Sequence, residues 1–317
     1  MPVIIDGNTG VNLVQDGSIT SSKIADGAVM PVDLANSGNE LGMRNRIING
    51  NFAIWQRGTS TNWFGTSGFA SDRWVQGSVG NITNSQSTDA PAGFLYSMQM
   101  AAISAVGSDI RQKIESLNCQ DLGGGTVTVS FWLRSTTAGV TIDVSLSTAT
   151  GVDNFSNPTV FSTRTLTTSN TAWTFYSFTF SGLPASASNG LYLRLKESAG
   201  NCTWLITGVQ LEKVSTATAF DYRPYGTELA LCQRYYWKFT SNVDYRLGVV
   251  RSSGSTSQSP PMSFPVPMRV VPTATVITQP STALYVRALD DATQSTYTTI
   301  SVTPLTSTDA IYQVTQP

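Results

Sequence analysis

The stretch Thr126-Val127-Thr128-Val129-Ser130-Phe131-Trp132-Leu133-Arg134 alternates between two kinds of side chain. In an extended chain successive side chains point to opposite sides. Val127, Val129, Phe131 and Leu133 therefore share one face, and Thr126, Thr128, Ser130, Trp132 and Arg134 share the other. A period of two, carried by β-branched and aromatic residues, marks a strand with one face in a core. The pattern recurs in Val140 to Leu146, where Val140, Ile142, Val144 and Leu146 alternate with Thr141, Asp143 and Ser145, and in Leu191 to Lys196, where Leu191, Leu193 and Leu195 alternate with Tyr192, Arg194 and Lys196. Ala172 to Phe180 and Thr203 to Leu211 read as further strands. Turn residues separate them, as in Gly123-Gly124-Gly125 and Ser188-Asn189-Gly190. Many short strands without a long helical period predict an all-β chain built as a sandwich or jelly roll.

Composition agrees with that architecture. Of 317 residues, 40% are hydrophobic but only 12% are charged, about half the roughly 25% of an average soluble domain. Ser, Thr, Asn and Gly supply the polarity, which favours strands and turns over surface helices. The net charge of −1 leaves no basic stripe for a phosphate backbone. No apolar run is long enough to read as a membrane helix, and the first ten residues lack the pattern of a secretory signal. The chain contains no histidine, which removes the commonest general base, nucleophile activator and metal ligand. Cys119, Cys202 and Cys232 are odd in number and widely spaced, so they are expected to be buried free thiols.

The first forty residues carry a ten-residue repeat. Asp-Gly stands at 6–7, 16–17 and 26–27, Asn36-Ser37 follows in register, and Ile4, Val14, Ile24 and Leu34 each precede a turn by two positions. One apolar residue per unit is too thin a seam for a core, so this segment is expected either to be a disordered arm or to be ordered by other chains. Ser37 to Arg46 reads as a linker. The segment Glu228 to Lys238 reads as one short helix or an entry strand, and a Pro-, Ser- and Thr-rich remainder has strand-like stretches at Tyr245 to Arg251, Thr273 to Ile277, Ala283 to Ala288 and Tyr297 to Val302. Three parts follow: an extended N-terminal segment (1–42), a central jelly-roll β-sandwich (43–225) and a small C-terminal β-sandwich (226–317).

Four ordered stretches are more specific. They are Asn45-Arg46-Ile47-Ile48-Asn49-Gly50-Asn51-Phe52 through Trp55-Gln56-Arg57-Gly58 to Ala70-Ser71-Asp72-Arg73-Trp74; Ile110 to Glu115 shortly before Val127 to Trp132; Gly208 to Lys213 through Ala219-Phe220-Asp221-Tyr222-Arg223-Pro224-Tyr225 into Cys232-Gln233-Arg234-Tyr235-Tyr236; and Phe264-Pro265-Val266-Pro267-Met268-Arg269 with Pro272-Thr273. Over residues 44–275 the chain resembles phage tail fibre and virion receptor-binding proteins. Residues 16–29 look like the N-terminal segments of many such fibres. The resemblance implies a jelly roll similar to carbohydrate-binding modules, a homotrimeric fibre docked on other tail proteins through its N-terminus, and a place in the virion after assembly in the host cytoplasm. It also admits a structural calcium, for which oxygens around Asn49 to Asn51 or Asp221 are candidates; no other cofactor is expected.

Host-surface polysaccharide is the partner that such a fibre would meet. Recognising sugar needs an apolar face for the pyranose C–H groups and polar groups for the hydroxyls. Trp132 and Arg134 on one strand, with Tyr192 and Arg194 on another and Lys196 and Asp143 beside them, would form an aromatic floor with a charged rim if those strands are neighbours. Trp63 and Phe64 sit in a polar, Gly-rich stretch, Ser60 to Gly68, read as a loop. The consecutive Tyr235, Tyr236 and Trp237 would alternate faces if they form a strand. Trp74 reads as a core anchor with Asp72 and Arg73 paired beside it, Tyr222 as packed on the core edge, Arg223 as a bridge to the next domain, and Glu212 as a partner of Arg111 or Arg73. The resulting expectation is a non-catalytic, multivalent adhesin. The alternatives are a purely structural collar, hub or connector, and a glycan-hydrolysing tailspike, which would need two positioned carboxylates. Asp143 and Asp290-Asp291 are candidates for those, without an identifiable partner.

Overall fold

The computed structural model describes residues 43–64, 67–77, 81–102, 107–197, 202–238 and 261–273, with the backbone alone at 63–64, 102 and 261–262, and the backbone of short strands elsewhere. The chain divides into two units, 1–44 and 45–317. In the first, β1 (Ile5–Asp6) pairs antiparallel with β2 (Gly10–Val11).

Between residues 60 and 212 the second unit forms twelve strands in two antiparallel sheets. In chain order they are β3 (Ser60–Phe64), β4 (Gly68–Phe69), β5 (Val75–Gly77), β6 (Asn81–Ser87), β7 (Ser97–Ala102), β8 (Asp109–Glu115), β9 (Thr126–Ser135), β10 (Thr141–Thr148), β11 (Thr159–Thr167), β12 (Thr174–Ser181), β13 (Gly190–Glu197) and β14 (Thr203–Glu212). The first sheet runs β11-β10-β13-β8-β5-β4 and the second β12-β9-β14-β7-β6-β3. The chain switches sheets between β3 and β4, β5 and β6, β7 and β8, β8 and β9, β9 and β10, and at every step from β11 to β14. Such crossing is how a jelly roll wraps two sheets around one core.

That core is made by the alternating faces. Val127, Val129, Phe131 and Leu133 of β9 face Ile142, Val144 and Leu146 of β10 and Leu191, Leu193 and Leu195 of β13, all buried. Burying each large apolar side chain is worth about 1.5–3 kcal/mol. Trp74 and Trp204 are also fully buried. Each indole N–H finds an acceptor, Asn49 O at 3.0 Å for Trp74 and Ser108 Oγ at 2.7 Å for Trp204, as a buried donor must. The three thiols are free and buried, and burial pushes those of Cys119 and Cys202 up to about 12.

Beyond β14, the helix α1 (Tyr225–Gln233) begins at the expected Tyr225-Gly226 boundary, so Glu228 to Gln233 is helical. It packs on the sandwich: Cys232 is buried with Ile48 and Ile54, and Leu229, Leu231 and Tyr235 pack around them. Tyr235 and Tyr236 lie in the turn after the helix, not in a strand. The later strands are β15 (Pro261–Ser263), β16 (Leu284–Arg287), β17 (Gln294–Tyr297), β18 (Thr299–Pro304) and β19 (Asp309–Thr315). They form a sheet β15-β19-β18 and a hairpin β16-β17. The strands expected at Tyr245 to Arg251 and Thr273 to Ile277, and the carboxylates Asp290 and Asp291, lie outside the described residues apart from Thr273.

Candidate functional site

The outer face of the second sheet carries a groove of about 410 Å³. Its floor is Ser130 and Trp132 of β9, Phe175 of β12 and Gly208 of β14, and its walls are Phe94, Ala217 to Phe220 and Tyr222. Trp132 and Phe175 are cross-strand partners, with ring centroids 5.5 Å apart. Phe94 meets Phe220 edge-on at 5.2 Å and Tyr222 at 5.6 Å, and Phe220 and Tyr222 meet at 4.8 Å.

Gly208 makes this floor possible. The register of β14 against β9 shifts between Thr207 and Gln210, and Gly208 takes φ +63° there. This is a β-bulge with glycine in the left-handed region. A Cβ at Gly208 would lie 2.6 Å from the Phe94 ring and 3.3 Å from Trp132. The bulge lets two aromatic rings close over bare backbone.

Each wall has its own anchor. Thr207 Oγ1 donates to Tyr96 O at 2.7 Å, and Ser97 Oγ to Asp89 O at 2.6 Å, which fixes the segment carrying Phe94. Asp89 accepts the indole N–H of Trp173 at 3.0 Å and pairs with Arg134, whose Nε donates to Thr171 O at 3.0 Å. On the other wall, buried Glu212 accepts Thr218 N at 2.8 Å and Thr218 Oγ1 at 2.7 Å. Gln210 accepts Asp221 N at 2.8 Å. Tyr222 Oη donates to Gly93 O, tying the two walls together. Burial raises the Tyr222 phenol, which keeps it neutral.

The groove therefore offers aromatic faces with the hydroxyls of Thr218 and Tyr222, and no charged side chain lines it. Such a surface can stack the C–H faces of a ring and bond its hydroxyls. It holds no pair of carboxylates for acid–base work: Asp89 is committed to Arg134 and Trp173, and Glu212 to Thr218 and Gln210.

The residues proposed from sequence separate. Trp132 enters the groove and Arg134 stands two residues along the same strand. Tyr192 and Arg194 lie on β13 in the other sheet, so the single floor that joined them to Trp132 does not form. There Arg194 and Arg111 both bond buried Asp109, while Tyr192 and Lys113 pack on Phe155 at 6.4 and 5.5 Å. Asp143 accepts Thr165 Oγ1 at 2.6 Å. Trp63 and Phe64 are in β3, paired with β6, rather than in a loop; their side chains lie outside the described residues. Phe94, Phe175, Gly208, Phe220 and Tyr222 were missed. The signals were an isolated glycine within a strand and one aromatic, Phe175, out of phase with Tyr176, Phe178 and Phe180.

The ordered motifs build something else, a polar belt that seats α1. Asn49 N donates to Glu228, and Arg223 bonds Glu228 at 2.9 Å and Ile47 O at 3.0 Å. Gln112 exchanges two 2.8 Å bonds with the backbone of Ile48. Asp72 accepts Gln56 N at 2.6 Å and Arg57 at 3.1 Å, and burial raises its carboxyl. Arg57 stacks on Tyr236 and Arg73 on Tyr235, each 3.4 Å from the ring centre. Glu115 pairs with Arg234 at 3.2 Å and Arg269 at 2.8 Å. Asp72 and Arg73 thus have separate partners, since the positive φ of Arg73 (+72°) accompanies a tight turn between β4 and β5. Glu212 pairs with neither Arg111 nor Arg73, because its wall captures it, and Tyr222 is 54% exposed on the groove rather than on the core edge.

Two of the calcium candidates are engaged by protein donors. Asn49 Oδ1 accepts Ile54 N at 3.0 Å, and Asp221 Oδ2 accepts Asn45 N at 3.3 Å with Arg223 nearby. Among the described residues no three acidic, His or Cys groups cluster.

No protein-family model matches the chain, and no curated protein matches it. Solved structures are similar to part of the chain. The enzymatically active domain of bacteriophage CBA120 tailspike protein 4 aligns at 14% identity and TM-score 0.36 over 54% of this chain, which spans 22% of that one. The CBM22-1 xylan-binding domain of Paenibacillus barcinonensis Xyn10C aligns at 10% identity and TM-score 0.36, over 56% of this chain and 100% of that one. The C-terminal family 22 carbohydrate-binding module of Clostridium thermocellum Xyn10B aligns at 13% identity and TM-score 0.36, over 46% of this chain and 89% of that one.

Proposed function

We propose that the chain is a non-catalytic glycan-binding protein and that its ligand is a neutral oligosaccharide lying in the groove over Trp132. The observation that supports this most is the groove's lining: rings at Phe94, Trp132, Phe175, Phe220 and Tyr222, hydroxyls among them, and no charged side chain. A uronate or sulfated sugar would bring a charge with no counter-charge to receive it. In the fuller reading the chain is a multivalent adhesin of the tail-fibre kind, held on the virion through residues 1–42 and presenting its sandwich to host polysaccharide. Weak single-site binding suffices there, because several linked sites raise avidity by roughly 10²–10⁴.

The test is a glycan array followed by calorimetry on the best neutral ligand, with Trp132→Ala as comparison. Binding that Trp132→Ala weakens by at least about tenfold supports the groove. Binding that the substitution leaves intact places the ligand elsewhere. No binding to any glycan, with no block of phage adsorption by the full chain, removes the adhesin reading. Release of shorter oligosaccharides from the polysaccharide would make the chain an enzyme.

A further inference from the structure

β12 is the outermost strand of the second sheet. One side pairs with β9 along its whole length, Thr174 against Leu133 through Ser181 against Thr126. Among the described residues no strand and no backbone hydrogen bond occupies the other side. Its sequence, Thr-Phe-Tyr-Ser-Phe-Thr-Phe-Ser, has no charge and no proline in eight residues. Natural edge strands are usually blunted by lysine, proline, shortness or a bulge. The corresponding edge of the first sheet follows that rule: β11 is preceded by Pro158 and carries Arg164. The edge of β12 does not.

The core is also left ajar there. Tyr176 and Phe178 are only partly buried on the inner face, with ring centres 6.1 and 6.4 Å from that of Phe131. Phe175 is 43% exposed on the outer face.

We infer that β12 is a self-association edge, and that its occupant is the β12 strand of a second copy of this chain in antiparallel register about Ser177. The sequence is complementary to itself in that register. Ser177 meets Ser177, Tyr176 meets Phe178 on the inner face, and Phe175 meets Thr179 on the outer face. Paired positions share parity, so inner residues meet inner residues. For the same reason, the backbone groups pointing away from β9 on one copy face those of the other. A shift by one residue would set inner aromatics against outer hydroxyls. The product is a sheet continuous across two copies. Because the two-fold axis stands perpendicular to it, both grooves lie on one face, with each Phe175 rim beside Thr179 of the other copy. This pairing is two-fold and owes nothing to the glycan reading. It differs from the trimer that family resemblance implies.

The full-length chain tests it by sedimentation and by cross-linking. Ser177→Lys sets two ammonium groups opposite each other on an exposed position, where like charges repel. Association is expected to weaken at least about tenfold, so the mass falls from two chains to one. Ser177→Cys is expected to give a disulfide-linked pair on mild oxidation, since directly opposite Cα atoms lie about 4.5–5.5 Å apart and the three native thiols are buried. Thr163→Lys and Thr163→Cys on β11 are expected to do neither. A mass that Ser177→Lys leaves unchanged, or a Ser177→Cys chain that stays uncross-linked, overturns the inference. Circular dichroism checks that each variant is folded.

Discussion

The polar belt and the aromatic groove meet in one extended segment, Phe220 to Arg223, and they use it oppositely. Asp221 and Arg223 turn into the belt, toward Asn45, Ile47 and Glu228. Phe220 and Tyr222 turn into the groove, against Phe94. In the belt every named ionic group has a partner. In the groove the rings are left partly uncovered. A motif can therefore be ordered and recognisable because it seats a helix, while the adjacent residues of the same motif form the groove's wall. The belt sets where that wall stands.

The hardest way to break this arrangement is to cut the belt. Arg223→Ala leaves the Glu228 carboxylate buried beside Asn49 without its cation; the two side chains are 7% and 10% exposed. Removing one partner of a buried pair costs about 3–5 kcal/mol, readable as a lower denaturation midpoint. Glycan affinity should fall with it, since the wall loses its backing. Trp132→Ala separates the two regions from the other side. It should lower glycan affinity at least tenfold, about 1.4 kcal/mol or more, while leaving the belt's stability nearly as it was. Equal losses in both measurements would mean that groove and belt are one cooperative unit. Gly208→Ala comes next. The left-handed backbone costs a non-glycine residue about 1–2 kcal/mol, and the added methyl drives Phe94 off the floor. Affinity should drop further than that stability loss accounts for.

How far the sequence could foretell these regions follows from what each is made of. The inward faces of β9, β10 and β13 were legible because their neighbours on the other face are polar. β8 was not, since Asp109, Gln112 and Glu115 are buried polar residues serving the belt and its flank, and they hide the alternation. Trp132 was legible as an aromatic on the polar face. Its companions were not, because Phe94 and residues 217–222 lie outside the strands, and their position depends on how segments more than a hundred residues apart are tied, as Thr207 is to Tyr96. Tyr192 and Arg194 looked equivalent to Trp132 and Arg134 because strand period reveals a face but not which sheet the face belongs to.

The smallest change asks which element holds the wall. Tyr222→Phe removes only the hydroxyl that reaches Gly93 O and keeps the ring against Phe94 and Phe220. A hydrogen bond of this kind, partly open to water, contributes about 0.5–1.5 kcal/mol. If Asp221 and Arg223 hold the wall through the belt, the variant should lose no more stability than this, and its glycan affinity should stay within about threefold, or ~0.7 kcal/mol. If the hydroxyl is the strap, the wall should swing free and the affinity fall as far as it does for Trp132→Ala, with the melting curve hardly moved. That second outcome would detach the groove from the belt and leave the alternation of Phe220 to Arg223 as a feature of packing alone.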